Sequence, residues 1–184
     1  MPAIDPTIYT ARPDTNEGRL AKEIRTYDVL DSLDIPYLRV DHEIMNTVAD
    51  CDQVDKLLGI KICKNLFLCN SQKTEFYLLM MPGDKKFRTA IFSKLIGSAR
   101  LSFASPEYME ELLDLTPGSV TVLGLMNDKT HRVHLYIDKE VAEAEYLGCH
   151  PCINTSSLRI RTSDIFEKFL PYTGHTAGIV ELPD

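Results

Sequence analysis

The chain has 184 residues, of which 44% are hydrophobic, and it carries a formal charge of −7. This acidic balance argues against a protein that coats nucleic acid, because such binding depends on many Lys and Arg contacts with phosphate. A local contact with one end of an RNA is still compatible with it. No apolar run reaches the length of a membrane span, and an odd number of cysteines without a secretory signal predicts a cytoplasmic protein with reduced thiols.

The first half of the chain alternates predicted helices and strands. Residues 1–15 contain three prolines and are expected to form a flexible arm ahead of a single domain over residues 16–184. Apolar residues at helical spacing predict a helix from about Asn16 to Ser32–Asp34, and Pro36 prevents its continuation. The later elements of this half are a strand, a helix, two strands and a helix: Tyr37–Asp41, Ala49–Leu58, Ile62–Cys69, Glu75–Met81 and Thr89–Ile96. A polar turn joins the two consecutive strands and predicts a hairpin.

The second half begins with Ser105-Pro106-Glu107, which is typical of a helix start. Val120–Leu125 is compatible with either a strand or a short helix. Predicted strands follow at Arg132–Ile137, Glu145–Gly148 and Ser157–Arg161. A last helix begins in the Thr162–Asp164 cluster and is expected to end at Pro171 and Gly174. Strands and helices interleave without a regular βαβ repeat, which favours an α+β fold on a mixed sheet.

The densest cluster of polar and small residues runs from Gly148 to Ser157. It combines a glycine, the His150-Pro151 step and several hydroxyl and amide side chains. A loop of this composition is suited to aim backbone N–H groups and hydroxyls at a ligand, although it is equally compatible with a polar surface turn.

The pair Cys149-x-x-Cys152 raises the alternatives of a metal site or a redox motif. Structural zinc needs four ligands, usually from two such pairs, and the chain supplies no second pair at suitable spacing. A redox motif of the thioredoxin kind opens a helix after a strand, which the Pro151 loop does not resemble. The sequence therefore predicts small, inert thiols and no metal or cofactor.

Basic residues stand out at two places. Lys64 interrupts an apolar strand, where it is expected either to snorkel at a sheet edge or to line a pocket and hold a phosphate. Lys85, Lys86 and Arg88 form the most basic stretch of the chain and are weak candidates for RNA contact.

Four stretches resemble, in the same order, those of the YbaK/ProX family: Cys63–Leu68, Leu101–Ser105, Pro117–Asp128 and His150-Pro151…Asn154-Thr155. Members of this family are free-standing relatives of the editing domain inserted in bacterial prolyl-tRNA synthetases. The chain is most similar to the branch of alanyl-tRNA(Pro) deacylases. The resemblance implies a mixed, barrel-like sheet surrounded by helices, and hydrolysis of the ester that joins an amino acid to the terminal adenosine of tRNA.

By position, the resemblance also implies a set of site residues. Lys64, Gly148 and His150 are the catalytic candidates, with Lys64 near the terminal phosphate. The substrate-binding candidates are Asn65, Cys149, Pro151, Asn154, Thr155 and Ser156. His150 serves either as a general base or as a steric wall. Ile153 departs from the family pattern.

The chemistry implied needs no strong protein nucleophile, because an aminoacyl ester is already activated. Placing a water and stabilising the oxyanion suffice, and the ribose 2′-hydroxyl assists. The implied partners are the CCA end of tRNA(Pro) and prolyl-tRNA synthetase, with no membrane and no DNA. The alternatives are deacylation of another mischarged tRNA (Cys, Ser or Thr), and a non-catalytic relative that binds a tRNA end or has a regulatory role.

Overall fold

The computed structural model describes residues 2–61 and 63–184, and two β-sheets packed with helices dominate it. The α-helices are α1 (Ala21–Ser32), α2 (Val48–Leu58), α3 (Thr89–Ile96), α4 (Pro106–Leu113), α5 (Lys139–Glu143), α6 (Thr162–Asp164) and α7 (Leu170–Thr173). A 3-10 helix covers Val122–Asn127, and a π-helical segment, Ile165–Phe169, joins α6 to α7. The strands are β1 (Tyr37–Asp41), β2 (Cys63–Asn70), β3 (Phe76–Pro82), β4 (Leu101–Phe103), β5 (Val133–Asp138), β6 (Tyr146–Cys149), β7 (Ser156–Arg161) and β8 (Ala177–Val180).

The larger sheet has the order β4-β2-β3-β5-β8 and is mixed. β2 pairs antiparallel with both β3 and β4, which confirms the predicted hairpin. β5 pairs parallel with β3 on one side and with β8 on the other. The smaller sheet, β1-β7-β6, is antiparallel throughout.

The main core lies between the two sheets, because alternate residues of each strand point toward the other sheet. Phe67 and Leu78 of the larger sheet and Leu158 of the smaller one belong to this core. The opposite face of β2 and β3 packs under α3, and the outer face of β1 packs against α2. Cys63 and Asn65 of β2 therefore share a side with the main core, whereas Lys64 shares a side with the core beneath α3.

The predicted α+β class and mixed sheet are confirmed, but the sheets do not close into the barrel-like arrangement that the resemblance implies. In the described part of the chain, no strand ladder joins β6 to β2 where the two sheets meet. Side chains replace backbone pairing at this seam: the Cys63 thiol donates to the Gly148 carbonyl over 3.5 Å.

Most predicted elements are confirmed to within a few residues, and the largest differences are at helix ends. The first helix begins at Ala21, not Asn16. Pro171 does not end the last helix, because the wider π turn that precedes it accommodates a residue without an N–H. The helix ends at Gly174, whose φ of 75° suits glycine.

Two further predictions concern short segments, and some short elements were not predicted. Val120–Leu125, left open between strand and helix, contains the start of the 3-10 helix. The apolar pattern of the sequence did not predict β4, α5 or β8. The predicted position Ile62 lies outside the described residues.

The N-terminal arm runs beside β1. Ile4 and Tyr9 form isolated bridges with His42 and Arg39, and the Tyr9 and Arg39 backbones exchange hydrogen bonds of 2.9 and 2.7 Å. The arm otherwise lacks regular structure, as its prolines lead one to expect. Its flexibility and the single-domain division stay predictions.

Candidate active site

A small cavity of about 70 Å³ lies at the seam between the two sheets, under α2. Its lining comes from α2, the start of β2, the end of β6 and the start of β7: Cys51, Val54, Asp55, Ile60, Cys63, Asn65, Gly148, Cys149, His150 and Ser157. The cavity exceeds the roughly 10–15 Å³ that holds one water. It is far below the roughly 300–1,000 Å³ of pockets for drug-sized ligands. Its size suits a small chemical group.

Four of the predicted site residues meet in this cavity: Asn65, Gly148, Cys149 and His150. They come from two sequence regions more than 80 positions apart, which the fold brings together at the seam. The α2 residues, Ile60, Cys63 and Ser157 were missed as site residues, although Ser157 ends the polar cluster noted in the sequence. Their sequence signal was only that of a short amphipathic helix and a strand start.

Asn65 presents an unsatisfied acceptor. Its Oδ1 is buried and has no hydrogen-bond partner among the described residues. Its Nδ2 faces the Cys63 sulfur at 4.0 Å, and because that thiol already donates to the Gly148 carbonyl, the sulfur can only accept. This contact sets the orientation of the amide and leaves Oδ1 to receive a donor. A buried acceptor of this kind costs free energy until a ligand or water satisfies it.

Two histidines stand next to each other beside the cavity, with ring centroids 6.4 Å apart. His150 donates from Nδ1 to the Ser156 carbonyl at 2.9 Å, so its Nε2 carries a lone pair in the neutral ring. His42 donates from Nδ1 to the Glu43 carbonyl and accepts the Ser157 hydroxyl proton at Nε2 over 2.9 Å. Burial lowers the pKa of both rings below the usual value, which keeps them neutral at neutral pH.

The three thiols that line the cavity are poor nucleophiles. Burial, followed by the negative charge of Asp55, raises the pKa of Cys63 to about 12 and also raises the pKa of Cys51. Burial raises the pKa of Cys149 well above its usual value. Thiolates are the reactive form, so thiol chemistry is disfavoured here. Among the described residues, no group of three or more His, Cys, Asp or Glu side chains is placed to hold a metal ion.

Gly148 is required by a close approach. A Cβ at this position would lie 2.4 Å from Cδ1 of Ile60 and 4.0 Å from the Leu158 carbonyl oxygen. Ile60 itself lines the cavity, so any side chain at position 148 would push it toward the space that a ligand would use.

The structure does not bring Lys64 into the cavity. Its Nζ donates to the Lys85 carbonyl at 2.9 Å, on the side of β2 opposite Asn65. Lys64 stands only one residue from two lining residues, which leaves it beside the cavity and not within it. Its catalytic role stays a prediction.

The burial of Lys85 disfavours the predicted contact with RNA, which stays untested. Its side chain is buried and its Nζ bonds Glu140 at 2.7 Å, the Leu182 carbonyl at 2.9 Å and the buried Asp138 at 3.4 Å. These contacts indicate that Lys85 stabilises the folded structure. Its neighbours Lys86 and Arg88 are exposed.

The remaining predicted residues lie around the cavity or away from it. Asn154 and Thr155 line a separate open groove of about 530 Å³ next to α1. Pro151 is buried and lines neither space. Ser156 positions His150 through its carbonyl, and its own hydroxyl donates to Asp41.

Comparison with known proteins identifies the family to which the region around the cavity belongs. Residues 42–168 match the model of the aminoacyl-tRNA editing domain, and this range contains every residue that lines the cavity. The chain belongs to the aminoacyl-tRNA editing domain family.

Individual members of this family extend the match over nearly the whole chain. The prolyl-tRNA editing protein ProX of Acetoanaerobium sticklandii is 31% identical over 153 residues, which are 83% of this chain and 93% of that protein. The prolyl-tRNA synthetase associated domain-containing protein 1 of Xenopus laevis is 30% identical over 167 residues, or 89% and 97% of the two chains.

A solved structure shows the same fold at lower identity. A crystal structure described as a candidate trans-editing enzyme for prolyl-tRNA synthetase superposes with a TM-score of 0.63 at 15% identity, covering 89% of this chain and 99% of that one. Within residues 2–61 and 63–184, no helix combines the length and apolar character needed to cross a bilayer.

Proposed function

We propose that this editing-family protein hydrolyses the ester of mischarged alanyl-tRNA(Pro). The observation that carries the proposal is the small cavity at the seam, which gathers Asn65, Gly148 and His150 within the region that matches the editing domain. The name of the Acetoanaerobium sticklandii relative, a prolyl-tRNA editing protein, supports the choice of tRNA.

In the proposed reaction, a water attacks the ester carbonyl carbon. The bond from that carbon to the ribose oxygen breaks, releasing the amino acid and leaving a free ribose hydroxyl. Nε2 of the neutral His150 accepts a hydrogen bond from the attacking water, and backbone N–H groups of the loop after Gly148 stabilise the oxyanion. Because the cysteines lining the cavity are protonated, direct attack by water is the consistent route.

The size of the cavity supplies the selectivity. A synthetase site for proline rejects the smaller alanine weakly, because apolar size differences are worth only about 1–3 kcal/mol. A second site that admits the smaller group and excludes the larger one corrects the error. In this proposal His150 contributes to both roles, since the ring that holds the water also forms a wall of the cavity.

The 3′ CCA end of the tRNA would approach beside β2. Lys64, which lies beside the cavity, would exchange its hydrogen bond to the Lys85 carbonyl for one to the terminal phosphate. The exposed Lys86 and Arg88 would add charge further along the RNA. Prolyl-tRNA synthetase is a second proposed partner, on the basis of the name of the Xenopus laevis relative.

The decisive test is a deacylation assay with purified protein. We expect alanyl-tRNA(Pro) to lose its amino acid much faster than in buffer, and prolyl-tRNA(Pro) to decay at the buffer rate. Cysteinyl-, seryl- and threonyl-tRNA serve as further arms, since a cavity of this size is compatible with other small side chains. Equal decay of all substrates at the buffer rate would refute the proposal.

Lys64→Ala is expected to lower kcat/KM for alanyl-tRNA(Pro) by about tenfold or more, the loss typical of a charge-assisted hydrogen bond. The substitution also removes the hydrogen bond to the Lys85 carbonyl, so the free energy of unfolding should fall by about 0.5–1.5 kcal/mol. Lys129→Ala, which removes an exposed charge elsewhere, is the matched control. A rate equal to that of the control would exclude Lys64 from the site.

A further inference from the structure

The cavity has a chemical bias that the family assignment does not explain. Four of its lining residues carry polar side-chain oxygen or nitrogen atoms, namely Asp55, Asn65, His150 and Ser157. Among the described residues that line it, none is Lys or Arg. The character of the cavity therefore depends on which of the four side chains can donate a hydrogen bond.

The hydrogens of these side chains already have acceptors outside the cavity. Ser157 gives its single hydroxyl proton to His42, whose other ring nitrogen is committed to the Glu43 carbonyl. His150 gives its N–H to the Ser156 carbonyl. What both side chains offer to the cavity is a lone pair.

The side chains of Asn65 and Asp55 also present acceptors to the cavity. Asn65 turns its Nδ2 toward the Cys63 sulfur and leaves Oδ1 buried without a partner. Asp55 contributes a carboxylate, and its negative charge is felt inside the cavity, because it adds to the burial that raises the pKa of both Cys51 and Cys63. The cavity is thus an array of acceptors in a negative field.

We infer that this array binds the protonated α-amino group of the aminoacyl ester, so that the site selects esters of free α-amino acids. The inference rests on the proposed deacylase function and adds a recognition element to it. An ammonium group brings three donors and a positive charge, which match the acceptors Asp55, Asn65 and Ser157. His150 remains available for water, and the apolar walls formed by Val54 and Ile60 face the small side chain.

The consequence is a requirement that size alone does not impose. An ester of an α-hydroxy acid has the same dimensions as the alanyl ester, but it offers one neutral donor in place of the ammonium. It leaves buried acceptors unpaired, and sites built on hydrogen bonds reject such analogues strongly.

The test compares alanyl-tRNA(Pro) with lactyl-tRNA(Pro), in which a hydroxyl replaces the amine at equal size. Each kcat/KM is divided by the uncatalysed hydrolysis rate of the same ester in the same buffer, which removes the intrinsic difference in lability. We expect the alanyl ester to be preferred by about tenfold or more after this correction. Equal corrected values for the two esters would overturn the inference and leave the deacylase function intact. Failure to accelerate either ester would overturn both.

Two variants test whether Asp55 and Ser157 cause the preference for the alanyl ester. Asp55→Asn keeps the shape of the side chain and removes its charge, and Ser157→Ala removes the oxygen. Both are expected to reduce the alanyl-to-lactyl ratio, mainly by raising KM for the alanyl ester. Asp52→Asn, an exposed carboxylate on the same helix, should leave the ratio unchanged.

The outcome for Ser157→Ala also separates recognition from covalent chemistry. The Ser157–His42 contact has the geometry of a nucleophile and its base. If Ser157 were a nucleophile, its replacement by alanine would lower kcat/KM for the alanyl and the lactyl ester by the same factor. The alanyl-to-lactyl ratio would then be unchanged. That result would overturn the assignment of Ser157 to ammonium binding.

Discussion

Gly148→Ala is expected to reduce kcat/KM for alanyl-tRNA(Pro) by about 100-fold, the cost of displacing a bound substrate by an ångström or so. The added Cβ would lie 2.4 Å from Cδ1 of Ile60, so the isoleucine must move. Ile60 forms part of the wall of a cavity of only about 70 Å³, and its terminal methyl would take space that the substrate needs. Stability should be preserved or slightly increased, because alanine is about 0.5–1 kcal/mol more favourable than glycine inside a strand.

A second substitution makes this prediction specific. Ile60→Val deletes the Cδ1 atom that the new Cβ would meet, so the double variant Gly148→Ala/Ile60→Val should recover much of the activity lost by Gly148→Ala. The measurements are steady-state deacylation kinetics and urea unfolding of the single and double variants. If Gly148→Ala retained full activity, the seam cavity would not be the site of the reaction.

The sequence predicts those site residues that belong to a recognisable local pattern or to a stretch that resembles the family. The cluster around His150 stands out because glycine, proline and small polar residues concentrate there. Asn65 was implied by the family resemblance, through its place in the Cys63–Leu68 stretch. The two regions belong to strands of different sheets, β2 and β6, and they meet where the sheets pack together. No local sequence pattern encodes that contact.

The residues that were missed carry no local signal. Asp55 and Cys51 belong to the face of a short amphipathic helix, and only the packing of α2 over the seam turns that face toward the cavity. His42 acts through a hydrogen bond to Ser157, 115 positions along the chain. Composition identifies a loop that is able to bind, whereas the orientation of protons in a buried network requires the fold.

The basic stretch shows the limit of charge patterns. Three cations within four positions indicate a basic surface, and the charges of Lys86 and Arg88 are exposed as such a surface requires. Lys85 is drawn inward by a carboxylate that lies 53 positions away in sequence. Sequence proximity thus grouped residues that the fold assigns to different tasks.

Lys85→Met is expected to lower the free energy of unfolding by about 3–5 kcal/mol, the usual cost of removing one partner of a buried ion pair. Asp138 is fully buried, and among the described residues it would keep two N–H donors, those of Glu140 and Leu182, each at 3.0 Å. Because small domains have total free energies of unfolding of about 5–15 kcal/mol, the variant would lose a large share of its stability. Lys86→Met, at the exposed neighbouring position, should stay within about 0.5 kcal/mol of the parent chain.

The cause of that loss can be isolated by removing the charge of Asp138 as well. Asp138→Asn keeps an oxygen able to accept from the Glu140 N–H and cap α5, but it leaves no buried carboxylate that needs Lys85. The double variant Lys85→Met/Asp138→Asn should therefore be more stable than the sum of the two single effects predicts, which urea unfolding of all four chains measures as a coupling energy. Additive effects would show that Lys85 stabilises the fold through Glu140 and the Leu182 carbonyl alone. An unchanged stability with weakened tRNA binding would instead return Lys85 to the RNA surface, from which its burial now separates it.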